Sequence, residues 1–194
     1  MRMNALCSGS AVIRPVLLVA FLVVIGCEGK ESGGALPTAS GVDLSRYVGT
    51  WYEIARLPMW AQRKCVASRA EYRLLDSGEV GVRNACVTTS GEQISIEGVA
   101  TVVDREQRAK LNVRFDQWAV KLVGWFTLSE QGNYWILRID PDYRWAVVGT
   151  PDREYLWILA RTAPMDDATY QDLVAFSQRL GSQTERLIRA TPGP

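Results

Sequence analysis

The chain has 194 residues, with 22 Lys and Arg against 21 Asp and Glu, and it contains no histidine. The missing histidine removes Ser-His-Asp and Cys-His catalysis as well as histidine-ligated zinc or haem. There is no Cys-x-x-Cys either, so neither a metal nor another cofactor is expected. Near-neutral charge without a concentrated basic face argues against a nucleic-acid partner.

The first segment carries Arg2 and Arg14 and no acidic residue before Cys27; residues 15–25 read PVLLVAFLVVI. That run has the length of a signal h-region and is too short to span a bilayer comfortably. Val24-Ile25-Gly26-Cys27 resembles the bacterial lipobox. The resemblance implies diacylglycerol transfer to the Cys27 sulfur, cleavage before it, and acylation of the new amine by a fatty acid such as palmitate. Two or more acyl chains anchor stably where one is marginal. Residues 1–26 are therefore read as a lipoprotein signal peptide and Cys27 as the lipidation site. Glu28, where enteric bacteria use Asp to retain a lipoprotein at the inner membrane, points to the outer membrane, at its periplasmic face. The competing reading, a buried apolar helix with an incidental cysteine, fits poorly with a segment that is apolar all round.

Removing the leader leaves 168 residues and a charge of −1, enough for one domain with a proper core. Residues 27–41 are Gly-, Ser- and Pro-rich and read as a flexible tether. The domain runs over 42–194.

From there the pattern is strand after strand. Segments 51–56, 66–75 and 79–86 come first, with Asp76-Ser77-Gly78 as a turn. In 93–104, Ile94, Ile96, Gly98, Ala100 and Val102 fall on one face, and Ser95, Glu97 and Thr101 on the other. In 110–115, Leu111, Val113 and Phe115 alternate with Lys110, Asn112 and Arg114. This is the period-two signature of a sheet with one wet face. Residues 122–128 fit either a strand or an ordered loop. Segments 134–139, 145–148 and 155–160 are short strands separated by turns at 140–142 and 150–153. About eight consecutive strands without an intervening helix predict an all-β, antiparallel up-and-down barrel, whose closure removes exposed edges. One helix follows, opened by Pro164 and Asp166 or Asp167 and closed by Gly181. Tyr170, Leu173, Val174 and Leu180 sit at helical spacing, to pack outside the barrel. Leu187 and Ile188 are a candidate last strand.

Cys7 leaves with the leader, so Cys65 and Cys86 remain as a pair. In an extracytoplasmic domain they predict a disulfide; two buried free thiols are the alternative. The cysteines flank a predicted hairpin, but their alternation does not match, so a bonded pair needs a β-bulge.

An eight-stranded barrel can enclose one small ligand. Residues 43–58 read DLSRYVGTWYEIARLP, with Gly49-x-Trp51; 140–143 read DPDY; 155–164 read YLWILARTAP and contain Arg161. These three segments in order, followed by a helix and preceded by a lipoprotein leader, resemble the lipocalin family, and most closely its bacterial outer-membrane lipoprotein branch, related to apolipoprotein D. The resemblance covers essentially the whole mature chain. It implies a calyx whose narrow end is closed by Trp51 with Arg161 stacked over it, a structural pair adjoining Gly49. The family pattern Thr-Asp-Tyr is interrupted here by Pro141 and Asp142. A homodimer through the open end is a further option among relatives.

Pocket positions follow from alternation and from the resemblance. Trp51 pointing inward places Glu53 and Ala55 inward too. Family alignment adds Ala70, Tyr72, Val82 and Asn84. Clean alternation adds Leu111 and Val113, and parity adds Tyr134 and Ile136, although both faces of that strand are apolar. Arg161 pointing inward places Trp157 and Tyr155 on its face. Each position also fits ordinary barrel core. Small residues (Ala55, Ala70, Gly98, Ala100) favour a cavity over a filled interior, and Glu53, Asn84 and Tyr72 are placed to meet a head group. The expected partner is a small hydrophobic molecule such as a fatty acid or lysophospholipid, with the membrane reached through Cys27. The alternatives are an envelope interaction module with a filled barrel, or a lipid-processing enzyme using Tyr or Glu acid-base chemistry.

Overall fold

The computed structural model describes residues 35–115 and 128–191. The leader, Cys27, most of the tether, the ambiguous segment up to residue 127 and the last three residues lie outside the described residues.

A short helix α1 (Leu44–Tyr47) precedes β1 (Gly49–Arg56), β2 (Cys65–Leu74), β3 (Val80–Thr88), β4 (Gln93–Val102), β5 (Lys110–Phe115), β6 (Tyr134–Ile139), β7 (Trp145–Gly149) and β8 (Leu156–Ala160). Each strand pairs antiparallel with the next, and β8 returns to β1, which also pairs with β2. The eight strands therefore close, as the unbroken run of alternating segments predicts. Helix α2 (Asp167–Arg179) and a two-residue β9 (Ile188–Arg189) on β1 complete the chain.

Alternation sorts the apolar residues into two cores. Trp51, Tyr72, Val82, Val113, Ile136 and Leu159 pack inside the barrel. Ile54, Leu57, Val147, Ile158, Tyr170 and Leu173 pack between its outer wall and α2. The helix starts where Asp166 accepts from the Thr169 amide at 2.8 Å, an N-cap typically worth about 1 kcal/mol. It ends ahead of Gly181, whose φ is +83°.

Three irregularities shape the interior. The β1–β8 register shifts between Glu53 and Ala55, so Ile54 and Ala55 both face the outer core, and Arg56 turns back beside Glu53. The β2–β3 register shifts between Cys65 and Ala67, and the two cysteines are bonded. This is the bulge their mismatched parity requires. Between β5 and β6 the backbone pairing covers only Lys110 and Leu111. There Asn133 extends the ladder with its side chain: its Oδ1 accepts from the Val113 amide at 2.8 Å and its Nδ2 donates to the Val113 carbonyl at 3.0 Å.

Candidate functional site

The narrow end is closed from three directions in the sequence. Trp51 is fully buried, and its indole Nε1 donates to the Tyr47 carbonyl at 2.7 Å. The Arg161 guanidinium lies 3.9 Å from the Trp51 ring centroid. It donates to the carbonyls of Arg46, Tyr47, Val48 and Thr50 at 2.7–3.2 Å and to that of Tyr143 at 3.3 Å. One planar cation thus satisfies the carbonyls exposed where α1 ends and β1 begins, a task its fixed fork of donors suits. Gly49 sits beneath it at φ +101°, and a Cβ there would lie 3.2 Å from an Arg161 nitrogen. Tyr143, from the turn after β6, ties into the same corner: its hydroxyl accepts from the Asp43 amide at 2.8 Å.

Above this floor is a cavity of about 440 Å³, within the range of small-molecule sites. Its walls include Ala70, Val82, Ile96, Val113, Phe115, Trp157 and Leu159. Polar groups interrupt them, two of them as linked clusters. At the floor, three tyrosines are linked hydroxyl to hydroxyl, Tyr47 to Tyr134 at 2.7 Å and Tyr134 to Tyr72 at 2.9 Å. Burial raises all three phenols above their ordinary value, that of Tyr72 to about 12. On the wall, Glu53 lies 3.1 Å from Arg56 and accepts from the Gln62 amide at 2.8 Å. Gln62 also accepts from the Trp157 indole at 3.2 Å. Burial outweighs these partners and raises the Glu53 carboxyl above its usual range.

A lipocalin-like domain model matches residues 42–192, nearly the whole of the barrel and its helix. The chain belongs to the lipocalin family. It is 38% identical to temperature-induced lipocalin-1 of Arabidopsis thaliana over 78% of this chain and 80% of the relative. It is 35% identical to the outer membrane lipoprotein Blc of Escherichia coli over 87% of this chain and 89% of that one, and 31% identical to apolipoprotein D of Cavia porcellus over 69% of each. Among solved structures, the cockroach allergen Per a 4 superposes with a TM-score of 0.60 at 19% identity, covering 81% of this chain and 92% of the allergen. Lobster apocrustacyanin A1 does so at 0.57 and 14%, covering 86% and 94%. At such identities these two likenesses concern the fold alone.

Within this lipocalin calyx, eight of the positions expected from sequence line the cavity: Glu53, Ala70, Tyr72, Val82, Asn84, Val113, Tyr134 and Trp157. Four expected positions do not. Ala55 lies in the outer core, because the β1 bulge inverts its parity. Leu111 faces inward but lines only a minor void of about 10 Å³ beside the tyrosines. Ile136 faces inward and is fully packed in the inner core. Tyr155 precedes β8; its amide bonds Thr150 in the turn, and its ring stacks beside Trp157 at 6.1 Å. Two small residues expected to leave room act otherwise. Ala100 is packed by the minor void, and a Cβ on Gly98 would come within 2.2 Å of the Arg114 carbonyl oxygen. Gly98 therefore permits close approach of β5.

Sequence reading missed the loop 57–64. A 3-10 turn (Trp60–Gln62) folds over the mouth, and Met59, Ala61 and Gln62 line the cavity from it. Two large apolar residues in a connection between strands were the available signal.

The tyrosines carry a pH prediction. Their pKa values are raised in the fold, so the folded state keeps phenolic protons that the unfolded chain loses near pH 10. Stability is then intact below about pH 10 and falls as the pH rises toward 12. Denaturant unfolding at stepped alkaline pH should show this decline, and Tyr134→Phe should make it shallower. An unchanged slope in that variant contradicts the assignment.

Proposed function

We propose that this lipocalin is a membrane-anchored carrier that binds a small hydrophobic ligand, a single-chain lipid, in the barrel, for lipid transport, storage or envelope maintenance. The observation that carries this reading is the cavity itself: apolar walls with few polar groups, open at the end away from Trp51. Affinity would come from apolar burial, at about 25 cal/mol per Å².

Anchoring rests on the lipobox-like run ending at Cys27 and on likeness to relatives named as outer membrane lipoproteins. Among the described residues no helix is long and apolar enough to cross a membrane. Tethering would keep the calyx concentrated at the bilayer that supplies its ligand. A binding role is favoured over catalysis because Glu53, the natural acid-base candidate, is held by Arg56 and Gln62.

Two measurements test the reading. Lipid extracted from the natively purified protein should be identifiable by mass spectrometry, and it should be lost when Ala70→Trp fills the cavity. Ala70 faces Trp51 and Asn84 across the ladders, so the indole would project into the open space, with binding lowered about 100-fold or more. Full lipid occupancy in a folded Ala70→Trp protein contradicts the site. Separately, Cys27→Ala should move the protein from membrane to soluble fractions, and a variant that stays membrane-bound argues against the anchor.

A further inference from the structure

We propose that the calyx takes an uncharged single-chain lipid head first, with a hydroxyl seated inside the barrel against Asn84. This deepens the lipid-binding reading and rests on it. Asn84 lines the cavity, and its Oδ1 is buried without a hydrogen-bond partner. Across the ladder Asn84 faces Ala70. The other residue facing it, Ile96, offers no donor, and neither does Ala70. Along its own strand, Val82 is apolar and the Cys86 sulfur is spent in the disulfide. The nearby Tyr72 hydroxyl is engaged by Tyr134.

A buried amide oxygen in a mostly apolar wall is destabilising until a donor reaches it. A hydroxyl both donates and accepts, so it satisfies either orientation of the amide. A carboxylate brings no donor to the Asn84 oxygen. Arg56 is paired with Glu53 and donates to the carbonyls of Gln62 and Cys65, Arg69 in the lining is paired with Glu71, and the lining cations Arg63 and Lys64 are exposed at the mouth. An ionised head would therefore give up its hydration uncompensated. Met59, Ile94 and Phe115, which also line the cavity, suit a hydrocarbon tail. A site built around a hydroxyl rejects analogues that lack it.

The test is a competition on the full-length protein, stripped of lipid, among hexadecanol, hexadecanoate and hexadecyl methyl ether at mildly alkaline pH, read by native mass spectrometry. Hexadecanol should win over each by about tenfold, equivalent to about 1.4 kcal/mol. Asn84→Leu should reduce that preference to within about twofold without lowering the melting temperature of the lipid-free protein, since an unpaired amide is replaced by methyl groups. Asn84→Ser, a smaller change, should keep part of the preference and serves if the leucine variant does not fold. Equal retention of all three lipids by the native protein, or a preference that survives Asn84→Leu, overturns the proposal while leaving lipid binding intact. Retention of none of the three overturns both.

Discussion

Glu53→Ala is expected to destabilise the barrel by about 3–5 kcal/mol, because it strands the buried cation of Arg56. The two side chains are only 4% and 8% exposed. Arg56 keeps its bonds to the Gln62 and Cys65 carbonyls, but neither supplies a countercharge. Gln62 also loses the carboxylate that holds its amide, so the mouth loop should loosen. The pair need not be a net stabiliser. Burial raises the Glu53 carboxyl above its usual range despite Arg56, which signals that taking the charge out of water costs more than the attraction returns. The folded state thus holds this proton more tightly than the unfolded chain. The contribution of Glu53 is largest below its ordinary pKa and is lost as the pH rises through the raised value. A double variant, Glu53→Met with Arg56→Leu, should therefore lie within about 1 kcal/mol of the parent or above it. Denaturant melts of the two single variants and the double complete the cycle. Additive losses would show that the charges do not interact.

Arg161→Ala should be comparably damaging, at about 3–4 kcal/mol, on the scale of breaking a buried polar network. The change removes a cation from the face of Trp51 and donors from five backbone carbonyls. Several of those carbonyls are then left without partners, which is the costly side of losing a hydrogen bond. For a domain of this size that loss lowers the melting temperature by roughly 6–16 °C. Arg161→Lys should recover only a minor part, since an ammonium cannot lie flat on the indole and fan donors across the corner. Tryptophan fluorescence gives an independent readout, because opening the floor hydrates Trp51. If lysine restores the full melting temperature, charge alone accounts for the role of Arg161.

Much of this molecule is legible without its structure. Strict alternation in β4 and β5 identifies the wet face and the inner face, since side-chain direction in a strand has a period of two. That same rule explains the misplacement of Ala55. Parity counted from Trp51 holds to Glu53 and fails at the next bulge, and a one-residue slip exchanges inside for outside. Nothing local in Glu-Ile-Ala-Arg marks the bulge; it is fixed by pairing with β8, about a hundred residues away. Cys65 and Cys86 are the opposite case. There a chemical expectation exposed the parity mismatch, so the bulge could be inferred.

Depth was the other invisible quantity. Leu111, Val113 and Ile136 all face inward, yet only Val113 reaches the cavity. Position along the barrel axis depends on strand stagger and on what fills the floor, and the filling comes from Tyr47, Tyr72 and Tyr134, which meet from three separate segments.

The sequence by itself determined the strand order, the closing helix, the cysteine pair and the partnership of Trp51 with Arg161. These rest on short-range periodicity or on distinctive residue types in a fixed order. It also carried the lipobox-like run at Cys27, whose role stays a proposal. Tertiary structure alone decided where the interior is filled and where it is open, that Glu53 is claimed by Arg56 and Gln62, and that the Asn84 side-chain oxygen is left unpaired. Those outcomes depend on long-range register and on packing between distant segments, and neither is encoded in any local stretch of the chain.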